Sequence, residues 1–462
     1  MIVKLAARSL CVRPVRSIVL ACGFGLGIAV MAELLGIGEV ILEQAQAPAL
    51  QGSGDLVASG VTGTIDNGRF VLSAIVGSRD MRPRIAAASP SATTTLYLTG
   101  RGPAMPVVAK GGVPSLEKAL GDAEVQGVAS WVDAPGDARW TTLGAAGILR
   151  DLDRFHAQPD VPEFAPSWAE WLYFNGRSAD GRVRFYLTFL VGPLTPRGTR
   201  GAGVRLQLDR GGRVVNFSEA AEVNAHEALE SAPDLRIGAS RVHLDGEQYR
   251  MALRLREEGG TSTLDGQITL DASARRALPP MVIHGARGWL SGYVVPVLSG
   301  PVGGELRIGG ESVSLAEATG YHDHNWGFWR DVRWQWGQVG NAELSFVYGR
   351  VFPPSDVADP ERMPGFLGVF GSDGVMGAAT NVSIAEEDAD GAPRRIDVTA
   401  RGAQLDVSMA FATERLVRSQ LTMTGATADF LQLGGSYRVT GRVGGRSVDF
   451  TARGAAETFR RR

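Results

Sequence analysis

The sequence predicts a mainly β chain: two antiparallel barrels in tandem, preceded by one membrane-spanning helix and a small mixed α/β segment. Three observations lead there. After residue 167 apolar and polar residues alternate, the spacing of half-buried strands. Asn-Gly and Asp-Gly pairs recur between those runs, as hairpin turns require. Roughly 295 residues carry this pattern, too many for one small barrel and enough for two.

Composition agrees with a folded, β-rich protein. Of 462 residues 44% are hydrophobic and 21% charged, which excludes wholesale disorder. The 60 glycines show no Gly-X-Y period and fit many tight turns. The net charge of −2 hides a basic N-terminus: Lys4, Arg8, Arg13 and Arg16 face no acid within residues 1–16. The body is therefore acidic, which argues against a nucleic-acid partner. Cys11 and Cys22 are the only cysteines, so there is neither a disulfide framework nor a cysteine-based zinc site.

The first element is the membrane helix. Ile18 to Ala32 is an uncharged run of 15 residues that continues past Glu33 to Leu42. The whole stretch reaches about 37 Å as a helix, enough for a hydrocarbon core of about 30 Å. Basic residues before it and none just after it place the N-terminus in the cytoplasm and the body outside, anchored by a single pass in a bacterial inner membrane. Two other readings compete. Val19-Leu20-Ala21-Cys22 is lipobox-like, but too few apolar residues separate Arg16 from Cys22. A cleaved signal peptide lacks a small-residue cleavage site. Gly23 and Gly27 stand at the spacing of close-packed membrane helices. The segments are then 1–50 for the basic stretch and anchor and 55–160 for the mixed segment. The barrels follow, 165–285 for the first and 286–455 for the second.

Within 55–160, Phe70 to Val76 and Thr95 to Thr99 read as short strands. Ser115 to Leu120 reads as a helix with Ser115 as its N-cap, and Leu143, Ile148, Leu149 and Leu152 have helical spacing. In the β region, Tyr249, Met251, Leu253 and Leu255 alternate with polar residues, as do Val204, Leu206 and Leu208. Turns are expected at Asn175-Gly176, Asp180-Gly181, Asp245-Gly246, Asp265-Gly266, Asp373-Gly374 and Asp390-Gly391. Residues 171–191 and 336–352 each read as an aromatic strand, a glycine-containing turn and a second strand, a hint of duplication.

The chemistry concentrates at 319–336, TGYHDHNWGFWRDVRWQW, with His322, His324, Trp326 and Trp329 around Asp323. A second cluster holds Trp168, Glu170, Trp171, Tyr173 and Phe174. On a regular strand His322, His324 and Trp326 share one face and Asp323 takes the other. Three explanations fit. His-x-His supplies two zinc ligands, but zinc sites usually need three or four, and no second paired histidine spacing occurs. Trp, His and Asn can close a barrel end and satisfy one another's hydrogen bonds. An acid in an apolar pocket can stay protonated, and tryptophan faces can stabilise a carbocation, a combination suited to adding water across a double bond.

Two resemblances sharpen these readings. LAARSLCVRPVRS, LLGIGEVILEQA and GDLVASG, within about residues 1–60, resemble the first helix of the FtsX-like (MacB-type) ABC-transporter permeases. Those need several spanning helices, and no second apolar run of about 18 residues occurs here. PSWAEWLYFNG and GYHDHNWG resemble the lipocalin-like carotenoid 1,2-hydratase (hydroxyneurosporene synthase) family over about residues 165–455, with Leu172 interrupting the aromatic pair that family more often shows.

That second resemblance implies two lipocalin-like barrels and cofactor-free hydration of a terminal carotenoid double bond; the histidine spacing, two ligands without a third, leads to the expectation of no metal. His322, Asp323, His324 and Trp326 fall on its signature; the catalytic roles expected here are Asp323 or a protonated histidine as proton donor, with the other of His322 and His324 positioning water. Trp326 would face the cation. Trp329, Trp171 and Glu170 are candidate ligand contacts. Tyr348, in the strand that follows, joins them by spacing. The expected partners are a hydrophobic isoprenoid or lipid, the membrane and ABC-transporter subunits. The competing function is a non-catalytic lipid-binding accessory of such a transporter.

Overall fold

In a computed structural model of the chain, the residues described are 14–15, 56–59, 65, 67–77, 81–99, 104–121, 123–372, 374–423 and 426–461. The expected anchor, 18–42, lies outside them. Among the described residues no helix is long and apolar enough to cross a membrane. The chain divides into two compact units. One is 1–65 with 80–141; the other is 66–79 with 142–462. The stretch expected as one mixed segment is thus shared between them.

The smaller unit contains an antiparallel hairpin, Ser91–Leu98 with Met105–Gly112, and the helix Pro114–Leu120. Val113 rather than Ser115 holds the N-cap position, because Pro114 opens the helix. The Ser115 hydroxyl donates instead to Asp133 at 2.6 Å. Buried Glu117 takes Ser89 at 2.6 Å and Lys110 at 3.1 Å.

The larger unit is mainly β. Helix α1, Gly68–Gly77, replaces the strand expected at 70–76; a short apolar run does not distinguish the two states by period. Arg69 of α1 pairs with Asp151 at 2.7 Å on α2, Ala145–Leu152. Ile148, Leu149 and Leu152 of α2 are buried in the core of the first barrel.

That barrel has eight strands: β1 Trp168–Arg177, β2 Val183–Leu194, β3 Thr199–Arg210, β4 Arg213–Asn224, β5 Gln248–Glu257, β6 Thr263–Asp271, β7 Leu290–Ile308 and β8 Ala318–Phe328. Each pairs antiparallel with the next, and β8 pairs with β1, so the meander closes as an up-and-down barrel. A short helix, α3 Ala225–Ser231, follows β4, capped by the Asn224 side chain. The division expected at 285/286 is corrected: β7 and β8 belong to the first barrel. Their pairing with β6 and β1 removes the edges that a six-stranded sheet would leave.

Four short strands, Leu235–Ile237, Ser240–Asp245, Leu278–His284 and Glu311–Ser314, flank that barrel in the same sheet, and a separate nine-stranded sheet follows: β9 Arg333–Gly340, β10 Ser345–Phe352, β11 Phe366–Gly371, β12 Gly374–Ala379, β13 Asn381–Ala389, β14 Ala392–Gly402, β15 Leu405–Met423, β16 Ala426–Val443 and β17 Arg446–Arg461. Its order is β12-β11-β10-β9-β17-β16-β15-β14-β13. The first and last strands pair, but β12 and β13 remain edges, so this is a half-barrel rather than the second closed barrel expected. The two hairpins that hinted at duplication, β1–β2 and β9–β10, open the two meanders.

Turn chemistry is borne out at Asp390-Gly391, whose φ values of 53° and 74° are those of a type I′ hairpin. Asn175-Gly176 and Asp265-Gly266 instead lie inside β1 and β6. A Cβ on Gly266 would stand 2.5 Å from the Glu305 carbonyl oxygen, so glycine there permits close strand approach rather than a turn.

Candidate functional site

Strand register decides the site. On β8 and β1 the Cα partners are Trp326 with Glu170, His324 with Leu172 and His322 with Phe174; between them stand Asn325 with Trp171, Asp323 with Tyr173 and Tyr321 with Asn175. Opposed residues share a face. The even-numbered residues point into the first barrel and the odd-numbered ones outward, so the residues expected to act together sit on opposite sides of one wall.

The inner side is a closed polar cluster. His322, His324 and Asp153 are wholly buried and Glu170 is 2% exposed. Asp153, which follows α2, accepts from Tyr249 Oη at 2.6 Å and lies 2.8 Å from His322 Nε2. Its other oxygen, Oδ1, stands 3.5 Å from His324 Nδ1, and neither atom has a hydrogen bond. His324 Nε2 is 2.9 Å from Glu170 Oε1, which also lies 2.8 Å from His156 Nδ1. The His156 amide donates to the same carboxylate at 2.9 Å. His156 stacks on Trp326 with centroids 4.0 Å apart, and His322 stacks on Phe174 at 4.1 Å.

Electrostatics follow from this packing. Burial alone would raise the Asp153 carboxyl, but the charge and hydrogen bond of His322, with the His324 ring beside it, outweigh burial and hold it well below the usual range. Burial likewise opposes Glu170, and hydrogen bonds from His156 and His324 lower it. Burial would depress His324, yet its two carboxylate neighbours push it up to about 9.

The outer side forms the junction with the half-barrel. Tyr173 Oη donates to Glu457 Oε1 of β17 at 2.5 Å and accepts from Gln432 of β16 at 3.3 Å. Gln338 of β9 reaches Asn175 at 3.3 Å, Gln207 reaches Ser419 at 3.2 Å and Arg415 pairs with Asp209 at 2.8 Å. These contacts explain why Gln207 and Asp209, on the polar side of the alternation in β3, are buried. Asp323 accepts from Tyr321 Oη at 2.8 Å and Asn325 Nδ2 at 2.6 Å. Burial pushes Asp323 up to about 6 against those donors. It pushes Glu457 up to about 8, opposed by the Tyr173 hydrogen bond and helped by the Asp323 charge. A carboxyl group raised toward neutral pH is suited to act as an acid.

The expected aromatic contacts divide as well. Trp171 and Trp329 meet on the outer side with centroids 4.5 Å apart, and Trp329 reaches Trp334 at 5.8 Å. Trp326 and Glu170 belong to the inner cluster. Tyr348 joins neither, because β10 is in the other sheet; its hydroxyl is 3.1 Å from that of Tyr437 in the half-barrel core.

Sequence reading did not find Asp153, His156, Tyr249 or Glu457 as site residues. Asp153 carries no motif, and Glu457 offered only the faint signal of an acid among small residues, in GAAETF.

Two concavities border these groups. A crevice of about 10 Å³, on the scale of one water, is lined by His156, Glu170, Arg200 and Leu229. A larger cavity of about 420 Å³ opens on the half-barrel, lined by Arg333, Gln335, Phe352, Glu386, Thr458 and Arg460 among others.

No family model matches the chain, and no curated protein matches it. Among solved structures the chain is similar to kievitone hydratase from Nectria haematococca (14% identity, 64% of this chain and 90% of that one, TM-score 0.41). It is also similar to CghA with Sch210972 (12%, 67% and 94%, TM-score 0.40) and to an AttH-type protein from Nitrosomonas europaea (16%, 66% and 98%, TM-score 0.39). At such identities and scores these likenesses say nothing of what this chain binds or catalyses.

Proposed function

We propose that the chain is a hydratase-like protein, tethered to the membrane through residues 18–42, that adds water to a terminal double bond of an isoprenoid at the junction of barrel and half-barrel. The observation that carries this reading is the Glu457 carboxyl, buried at the junction against Tyr173, where burial pushes it up to about 8. Protonation of the alkene by Glu457 would leave a tertiary cation beside the aromatic rings of the junction. Water would then add to the cation and return a proton to the carboxylate, so the acid is regenerated and no cofactor is consumed. Asp323, held by Tyr321 and Asn325, would lie across the same junction as the second carboxyl group. His322 and His324, sealed inside the barrel, would act as positioning residues rather than touch the substrate.

The test uses full-length protein in detergent with acyclic polyenes and ¹⁸O-labelled water. Product heavier by one labelled water, present with wild type and lost with Glu457→Gln, supports the hydratase. Unaltered polyene in every sample overturns it.

One observation favours a non-catalytic carrier serving an ABC transporter: the cavity of about 420 Å³ opens on the half-barrel, and neither Glu457 nor Asp323 lines it. Its walls carry Arg333, Glu386 and Arg460, which suits a polar head group rather than a bare hydrocarbon. A lipid that co-purifies unchanged with wild type and Glu457→Gln, and is lost on substituting Arg333, would establish that reading.

A further inference from the structure

We propose that His156, Glu170 and His324 form a binding site for a divalent transition-metal ion of the zinc class, at the end of the first barrel that bears the crevice. One ligand atom from each residue, His156 Nδ1, Glu170 Oε1 and His324 Nε2, lies within 4.8 Å of the others. Both imidazole nitrogens aim at one oxygen, at 2.8 and 2.9 Å. A four-coordinate zinc with bonds of about 2.0–2.1 Å needs ligand atoms about 3.3 Å apart, a small opening from that geometry. The sequence expectation of no metal rested on His-x-His supplying two ligands. The fold replaces His322 with His156 and Glu170, which no spacing in the chain announces.

Three further features fit a metal. The first is the outer support. Asp153 Oδ1 faces His324 Nδ1 at 3.5 Å, and both atoms are buried without hydrogen bonds. Binding a metal through Nε2 leaves the His324 proton on Nδ1, directed at that orphaned oxygen. This is the carboxylate–histidine–metal relay that fixes an imidazole's tautomer and orientation. The second is charge. Two carboxylates, Asp153 and Glu170, are sealed around His324, and a divalent cation neutralises both, whereas a proton on His324 neutralises one. The third is an open coordination position. Three protein ligands leave a fourth, and the one-water crevice borders His156 and Glu170. Three ligands plus a water is the pattern of open rather than closed zinc sites. His156 is held for the task by stacking on Trp326 and by its own amide bond to Glu170.

The test uses the full-length chain in detergent, stripped with a chelator and titrated with Zn²⁺ and then Co²⁺. The expected result is one tightly bound zinc per chain, visible Co²⁺ bands of a four-coordinate site and a rise in melting temperature. His156→Ala removes a ligand whose side chain is 35% exposed, so the core should survive. It should weaken zinc binding at least about 100-fold, while Asp153→Asn should weaken it about 10–100-fold. His226→Ala, an exposed histidine on α3 paired with Glu230, should change nothing. Equal zinc affinity in wild type and folded His156→Ala would overturn the proposal, as would a stripped wild type that takes up no stoichiometric zinc and shows no shift in melting temperature. Loss of hydratase activity in Glu457→Gln bears on a different face of the wall and leaves this outcome independent.

Discussion

The first barrel and the half-barrel solve the same problem differently. In the first, pairing runs from β1 round to β8 and back, and rings and aliphatic side chains fill the interior around a buried set of charged and polar groups. In the second, β12 and β13 are joined through the single residue Thr380 and do not pair. One residue is too few for a hairpin turn, so the meander keeps two edges. Its core is mainly aliphatic, from Ile396, Val398, Val407 and Met409 among others, with Phe346, Phe411 and one tyrosine pair, and a cavity lies toward one end. Closure thus accompanies a full interior that can hold ionised groups in fixed geometry, and an open seam accompanies space. Chemistry that needs preorganised charge belongs to the first barrel and its outer wall; chemistry that needs room belongs to the half-barrel.

The comparison breaks most sharply at Asp153. Asp153→Ala strips the partner from His322, His324 and Tyr249 at once, and should cost about 3–5 kcal/mol in urea unfolding. A loss below 1 kcal/mol would mean that the inner cluster is not a strongly coupled unit.

The junction offers a pH test. The folded Glu457 value is raised to about 8, above its unfolded value, so its contribution is full at low pH and lost as pH rises through about 8. Glu457→Gln removes that loss and keeps an acceptor for Tyr173. It should be more stable than wild type at pH 9 by roughly 1–3 kcal/mol and nearly equal at pH 4. Parallel stability curves would place Glu457 in water rather than at a dry junction.

Two tyrosines sharpen the contrast between the interiors. Tyr249→Phe removes a hydrogen bond to a carboxylate and should cost about 1.5–3 kcal/mol. Tyr348→Phe removes a neutral bond, and Tyr437 keeps its own bond to the Ala455 carbonyl at 3.0 Å, so about 0.5–1.5 kcal/mol is expected. The reverse order in thermal denaturation would contradict the assignment of charge to the first barrel.

The smallest expected effect is dynamic. Backbone amides on the unpaired sides of β12 and β13 should exchange with deuterium at least about tenfold faster than those of β1 and β8, which are paired on both sides. Equal protection would mean that the seam is closed in solution.

Much of this was legible in the chain. The strand Gln248–Glu257 buries Tyr249, Met251, Leu253 and Leu255 as their alternation requires. The face-switch between Asp323 and the two histidines was also readable, because successive side chains on a strand point to opposite sides. The stretch at 70–76 was not, since a short apolar run suits either helix or strand. Nor was the barrel boundary. The aromatic segment at 319–336 reads as continuous, but β8 ends at Phe328 and β9 begins at Arg333 in another sheet.

By itself the sequence determined what local sterics and hydration determine: which runs become strands, which side of each strand is apolar, where Asp390-Gly391 turns, and that His322 and His324 face together away from Asp323. Only the tertiary structure decided who stands opposite. Closure of eight strands brings Asp153, just past a helix ahead of the barrel, and His156, from the loop before β1, against two histidines on β8. Wall-to-wall packing brings Glu457, near the end of the chain, to Tyr173, 284 residues away in sequence. Alternation is a property of one strand and its neighbours in sequence. Convergence depends on register and on how two sheets stack, and those are set by the packing of the whole core.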